Sequence, residues 1–115
     1  MSSFIEQLKS FYYTYKETSY ERGGVTNYAF SYSSGTINTL FISINDNTNS
    51  ISVSFNLLFS NAPKTKARFE EKYKTHPYMG SGLDVTMEGI NEDNISNYMS
   101  DIVWAMENKG FTPRR

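Results

Sequence analysis

The sequence predicts an α+β fold, a two-layer sandwich in which the N- and C-terminal helices pack on one face of an antiparallel sheet of about four strands. Apolar residues recur at helical spacing near both ends of the chain, and they alternate with polar residues in its middle. Turn-forming clusters, "SSGT" and "NDNTNS", separate the alternating runs. Because the strands come as a block flanked by helices, we expect the order α-β-β-β-α-β-α in a single domain that spans residues 1–115.

The first element is an amphipathic helix. Its apolar stripe runs from Phe4 to Tyr15, with members three or four positions apart. Ser3 and Glu6 have the spacing of a capping box, which marks the start of the helix. The pair Gly23-Gly24 favours a turn over continued helix, so we expect this segment to end there.

Three strands in an antiparallel meander follow the first helix. Alternation of apolar and polar residues places them within residues 28–32, 40–44 and 51–59. One face of the sheet then packs under the helices, and the other face carries uncharged polar side chains. The most prominent of these are Thr39, Ser43, Ser52, Ser54 and Asn56. That face is either plain solvent-exposed surface or a docking surface that avoids the desolvation of charges.

A short helix, a fourth strand and a final helix complete the predicted fold. Pro63 suits the first turn of a helix, and Phe69 with Tyr73 gives this helix an apolar stripe. The run "LDVTMEG" alternates and predicts the fourth strand. The final helix carries apolar residues on one face from Ile95 to Met106, and Gly110 marks its end.

Composition limits the classes of function. The 115 residues include no cysteine and carry a net charge of −1. The lack of cysteine excludes disulfides, thiolate zinc sites and a cysteine nucleophile, and we expect no cofactor. The start "MSSFIEQLKS" lacks the pattern of a signal peptide, and no apolar run approaches the length of a membrane span. We therefore expect a cytoplasmic protein.

The single histidine, His76, is the main candidate for acid–base chemistry. Pro77 disfavours helix at the residue before it, so we expect His76 just past the end of the preceding helix, near the exposed helix carbonyls. A general base also needs a substrate proton and an orienting carboxylate within reach, and no spacing in the sequence supplies them. We expect no enzymatic activity, and a hydrolase centred on His76 is the least favoured hypothesis.

A basic run supports an alternative hypothesis, a nucleic-acid-associated protein. The run comprises Lys64, Lys66, Arg68, Lys72 and Lys74. Glu70 and Glu71 interrupt it, and the chain lacks the basic excess that is typical of nucleic-acid binders. The simpler interpretation is the solvated face of a helix.

Two aromatic residues break the helical patterns and indicate a protein partner. Trp104 lies about 180° from the centre of the apolar stripe on the last helix, at 100° per residue. Tyr13 is similarly opposite the stripe of the first helix. Tryptophan and tyrosine often anchor protein interfaces, because they bury a large area at small entropic cost. The predicted partner-binding residues are Trp104, Tyr13, Asp101, Asn97 and Asn108.

These features predict a small non-enzymatic protein-binding module. An inhibitor, an immunity-type protein or a chaperone-like modulator from a bacterium or phage would fit, and a homodimer is one option. The element order is similar to that of small secretion chaperones. That likeness is topological only: no motif accompanies it, and one strand rather than two is evident before the last helix. A shared fold does not fix function, so the partner stays open.

Overall fold

The computed structural model describes residues 2–13, 16–32 and 39–114. Its elements are, in chain order, α1 (Ser2–Phe11), β1 (Tyr12–Tyr13), β2 (Lys16–Arg22), β3 (Val25–Ser31), β4 (Thr39–Asn45), β5 (Ser50–Leu57), α2 (Pro63–Lys72), β6 (Lys74–Tyr78), β7 (Gly82–Ile90), α3 (Ser96–Lys109) and β8 (Thr112–Pro113). The predicted α+β class is confirmed. Within the described ranges, no helix is long and apolar enough to cross a membrane.

Strands β2 to β7 form the main sheet. Its order is β2-β3-β4-β5-β7-β6, and every neighbouring pair is antiparallel. The short strands β1 and β8 pair with each other in a separate two-stranded ribbon. In the described part of the chain the main sheet therefore has six strands rather than the four that were predicted, and the two additional strands, β2 and β6, lie at its edges.

The three helices share one hydrophobic core with one face of the main sheet. Phe4 and Leu8 of α1, Phe69 of α2, and Ile102 and Met106 of α3 are all buried in this core. Alternate residues of β4, β5 and β7 point into it from the sheet. Both terminal helices thus lie on the same side of the sheet, and none of the described helices covers its other side.

The prediction of one long first segment ending at Gly23-Gly24 is wrong. Helix α1 ends at Phe11, and residues 16–22 form the edge strand β2, which pairs with β3 through all seven of its residues. The two glycines have φ angles of +60° and +82°, as a two-residue hairpin turn requires. An edge strand needs no buried face, so the polar run of β2 carries no apolar period to mark it. Tyr15, part of the predicted stripe, lies outside the described residues.

The expected position of His76 at a helix end is also wrong. Helix α2 ends at Lys72, Tyr73 is already extended, and His76 lies in the middle of strand β6. Pro77 is compatible with this strand because β6 is at the edge of the sheet, where a missing N–H is tolerated. Two strands, β6 and β7, therefore lie between α2 and α3, where the sequence predicted a single strand.

Candidate functional site

Trp104 belongs to an aromatic cluster inside the molecule. Its ring stacks on Phe59 with ring centres 5.7 Å apart and an interplanar angle of 13°, and it meets Phe69 edge-on at 5.6 Å. Phe59 lies in the turn after β5, and Phe69 lies on α2. Trp104 is half-buried as a result. Part of the residue is still exposed, so the predicted partner-binding role of Trp104 stays a prediction.

Asp101 was expected on the exposed side of α3, and this expectation is wrong. Only 2% of the residue is exposed. Its carboxylate accepts hydrogen bonds from Arg68 Nη1 at 2.6 Å, from Lys72 Nζ at 3.2 Å and from the hydroxyl of Tyr73. Burial by itself would raise the pKa of Asp101, but the hydrogen bonds from Tyr73, Arg68 and Lys72 hold it below its ordinary value of 3.8. Helix α2 therefore covers the side of α3 that the sequence pattern left to solvent.

The other predicted partner-binding residues are only partly available. Asn97 and Asn108 are exposed, and the Asn108 side chain donates to the carbonyl of Trp104 at 2.8 Å. Tyr13 lies in β1, where the guanidinium of Arg114 stands 4.3 Å from the centre of its ring. Both predicted aromatic anchors thus have a partner within the chain.

The basic run does not form a free cationic patch. Arg68 and Lys72 bind Asp101, and Lys74 pairs with Glu88 at 2.7 Å on the surface. Lys64 is exposed and Lys66 is half-buried. Three of the five predicted phosphate-binding side chains are therefore already matched with carboxylates.

His76 has a carboxylate as its neighbour across the strands. It is exposed, and its register partner on β7 is Asp84, whose own partner on β5 is Asn56. The hydrogen bonds of the described residues include none from the His76 side chain and none that would activate a nucleophile beside it. The described residues also contain no group of three potential metal ligands. The register thus places a carboxylate beside His76, but no described hydrogen bond joins the two side chains.

We name the side of the main sheet that faces away from the helices the open face. Strand register and alternation assign sixteen residues of β2–β5 to it. They are Lys16, Thr18, Tyr20, Arg22, Val25, Asn27, Ala29, Ser31, Thr39, Phe41, Ser43, Asn45, Ser50, Ser52, Ser54 and Asn56. This set contains no carboxylate, and its two charged side chains lie at opposite ends of β2.

Two exposed aromatic side chains project from the open face. Tyr20 on β2 is 66% exposed and Phe41 on β4 is 42% exposed. The strand between them, β3, contributes the small residues Asn27 and Ala29. Because neighbouring strands are about 4.8 Å apart, the two aromatic walls stand on backbones about 10 Å apart. We call the resulting depression the aromatic groove, and its volume is about 310 Å³.

Neutral polar groups surround the aromatic groove. The Ser43 hydroxyl donates to the Asn27 side-chain oxygen at 2.6 Å, which fixes the amide so that its NH₂ group is directed away from that bond. Ser43 also borders a second depression of about 230 Å³, which extends over Ser50 and Ser52 towards Glu88. Thr39, expected on the exposed polar face, is buried, and its hydroxyl bonds to Ser31 at 2.8 Å.

Sequence reasoning identified the polar character of this face but missed its aromatic groove. Tyr20 was assigned to the first helical segment, so its position on a sheet could not be inferred. Phe41 carried a usable signal, because it is an apolar residue at a polar position of the alternating run between Leu40 and Ile42. No protein-family model, curated protein or solved structure matches the chain.

Proposed function

We propose that this protein is a non-enzymatic protein-binding module and that the open face of β2–β5 is its recognition surface. The observation that carries the proposal is the aromatic groove, in which exposed Tyr20 and Phe41 stand on the two strands that flank β3. The aromatic side chains of Tyr20 and Phe41 lie on an otherwise polar sheet face and add nothing to the core. A partner that covers them would remove this apolar surface from water, which gives a physical reason for their position.

The chemistry of the open face suits a protein partner. Tyrosine, serine and asparagine dominate natural paratopes, because rigid aromatics supply contact area and small polar groups supply adaptable hydrogen bonds. The neutral hydroxyls and amides of β2–β5 can be desolvated without burying a charge. From strand spacing and length, the four strands β2–β5 present a face of about 19 by 23 Å, roughly half of the 800 Å² per partner of a standard interface, which suits a small, transient complex.

The alternative functions have less support. Nucleic-acid binding requires cations free to meet phosphates, and most of the predicted basic run is matched with Asp101 and Glu88. A hydrolase that uses covalent catalysis requires a nucleophile beside His76, and the described contacts supply none, while activation of water would have to rely on an exposed histidine without a described hydrogen bond. Inhibitor, immunity-type and chaperone-like roles all remain compatible with a protein-binding face. A second copy of the chain is the alternative occupant of that face.

Site-specific crosslinking tests the proposal. The photoreactive amino acid p-benzoylphenylalanine is placed at Phe41, and at Glu70 as a matched control, because Glu70 is exposed on helix α2. We expect one protein to be captured from position 41 and not from position 70. Its affinity is then measured with purified wild type, Tyr20→Ala and Phe41→Ala. Each variant should weaken binding at least about tenfold, as expected for aromatic hot spots, and leave the melting temperature within a few degrees.

Two results would contradict this assignment. Equal capture from both positions would remove the open face as the specific surface, and so would full affinity in both alanine variants. Light scattering across a concentration series tests whether a second copy of the chain occupies the open face. A wild-type dimer that Phe41→Ala converts to a folded monomer would identify the partner as another copy. Binding of an oligonucleotide that falls steeply with salt would instead favour the nucleic-acid hypothesis.

A further inference from the structure

Strand β2 is a long, accessible edge of the main sheet. It pairs with β3 through seven residues in continuous register, and no other described strand pairs with its far side. All seven residues are exposed. The opposite edge, β6, is shorter and contains Pro77, which lacks an N–H. Strand edges of the first kind are templates for pairing with another chain.

The hairpin turn decides which main-chain groups of β2 point outward. A two-residue turn closes on a hydrogen-bonded pair, here Arg22 with Val25. Hydrogen-bonded and non-bonded pairs then alternate along the hairpin. Glu17, Ser19 and Glu21 therefore direct their N–H and C=O groups away from β3. Among the described residues, no strand pairs with these three donors and three acceptors.

Charge is sorted between the two sides of β2. Lys16 and Arg22 point to the open face, whereas Glu17 and Glu21 point to the helix side, where Glu17 pairs with Lys9 of α1 at 3.0 Å. Along the strand the charges read plus, minus, three neutral residues, minus, plus. This order is symmetric about Ser19, so it is the same in either direction.

The symmetric charge order disfavours pairing of β2 with a second copy of itself. In the two-fold antiparallel register centred on Ser19, Lys16 lies opposite Arg22 and Glu17 lies opposite Glu21. Like charges then meet at four cross-strand positions. Registers shifted by two residues relieve some of these contacts but lose overlap with the outward main-chain groups. The edge thus favours a foreign strand with the opposite charge order.

We propose that β2 is a docking edge for an extended partner segment whose charges read minus, plus, three neutral residues, plus, minus. The inference rests on the proposed function in that both require a protein partner. Main-chain hydrogen bonds to Glu17, Ser19 and Glu21 extend the sheet, as in strand addition generally. The acidic ends of the segment lie opposite Lys16 and Arg22. Its third and fifth residues lie opposite Thr18 and Tyr20, beside the aromatic groove.

Two capped peptides of identical composition test the edge. "EKVTVKE" has the complementary charge order and "KEVTVEK" has the inverted order. We expect the first to bind at least about tenfold more tightly, because four cross-strand pairs change from attraction to repulsion. Amide chemical shifts of the protein should respond at Glu17, Ser19 and Glu21. Equal affinities, or no shift at these amides at millimolar peptide, would overturn the proposal.

Variants of the protein with the same net charge test whether the order of charges along β2 determines peptide binding. Exchange of all four charges, Lys16→Glu, Glu17→Lys, Glu21→Lys and Arg22→Glu, should reverse the preference between the two peptides. Ser19→Pro removes a central outward N–H that β3 does not use, so peptide binding should be lost while the chain stays folded. A preference that survives the four exchanges would contradict the assignment of the edge.

A half-exchanged variant examines the argument against self-pairing. Glu21→Lys with Arg22→Glu turns all four like-charge contacts of the two-fold register into opposite-charge contacts. Sedimentation should then show stronger self-association than in wild type, whereas an unchanged monomer would count against an accessible edge. These outcomes do not depend on Phe41. Crosslinking at Phe41 can therefore support the proposed function even if the peptides do not bind β2, so each proposal can be contradicted without the other.

Discussion

Removal of the Asp101 carboxylate should destabilise the fold by separating α2 from α3. In Asp101→Ala the hydroxyl of half-buried Tyr73 loses its acceptor, at a cost of about 1–3 kcal/mol. Arg68 and Lys72 are 48% and 41% exposed in their side chains, so water replaces much of their lost interaction and each contributes only about 0.5 kcal/mol. We expect a total loss of about 3 kcal/mol and a fall in melting temperature of about 10 °C. Asp101→Asn keeps an acceptor for Tyr73 and should lose about 1 kcal/mol.

Urea unfolding at several pH values measures this effect and its electrostatic part. The pKa of Asp101 is lower in the folded chain than its ordinary value of 3.8, so the folded state binds fewer protons. The stabilising contribution is therefore fully present above about pH 4 and is lost as pH falls through the folded pKa. The stability difference between wild type and Asp101→Asn should be largest near pH 7 and should shrink in acid.

Two results would refute this account of Asp101. A stability of Asp101→Ala within about 0.5 kcal/mol of wild type at pH 7 would show that the carboxylate does not link the helices. A stability difference that does not depend on pH would show that its charge is irrelevant. Glu71→Ala is a suitable control, because Glu71 is an exposed carboxylate on α2 that makes no ion pair or hydrogen bond with the other described side chains. Its substitution should change stability by less than the loss in Asp101→Ala.

Two further predictions concern Trp104 and Lys109 of α3. Trp104→Ala should lower the free energy of unfolding by about 2–3 kcal/mol, since the ring stacks on Phe59 and packs edge-on against Phe69, and a urea titration that shows wild-type stability would favour an interface role for Trp104. Burial lowers the pKa of Lys109, whose Nζ donates to the carbonyl of Asn56 at 2.5 Å, from 10.5 to about 8. The unfolded chain then binds more protons between these values, so wild type should gain about 2 kcal/mol relative to Lys109→Met from pH 8 to pH 10.5. Parallel unfolding curves across that range would contradict the assigned pKa.

The sequence by itself predicted the elements whose pattern is local. Alternation within residues 28–32, 40–44 and 51–59 predicted strands that the structure has at 25–31, 39–45 and 50–57. One side of each strand faces the core, and that period is visible without knowledge of the neighbouring strands. Pro63 marked the start of α2, and Gly110 marked the end of α3, where its φ of +114° suits glycine. Burial on one side of an element leaves a periodic signal, and these elements all have such a side.

Only the tertiary structure decided the features that depend on partners distant in sequence. Strands β2 and β6 are edges stabilised by a single neighbour, so their polar sequences carry no apolar period. The sequence pattern placed Asp101 on the solvent-exposed side of α3. In the structure α2 covers that side, and its Arg68 and Lys72 bind Asp101. Tyr20 and Phe41 border the same groove only because β3 pairs with both of their strands. Pairing of this kind is set by register between segments, which the order of residues within one segment does not contain.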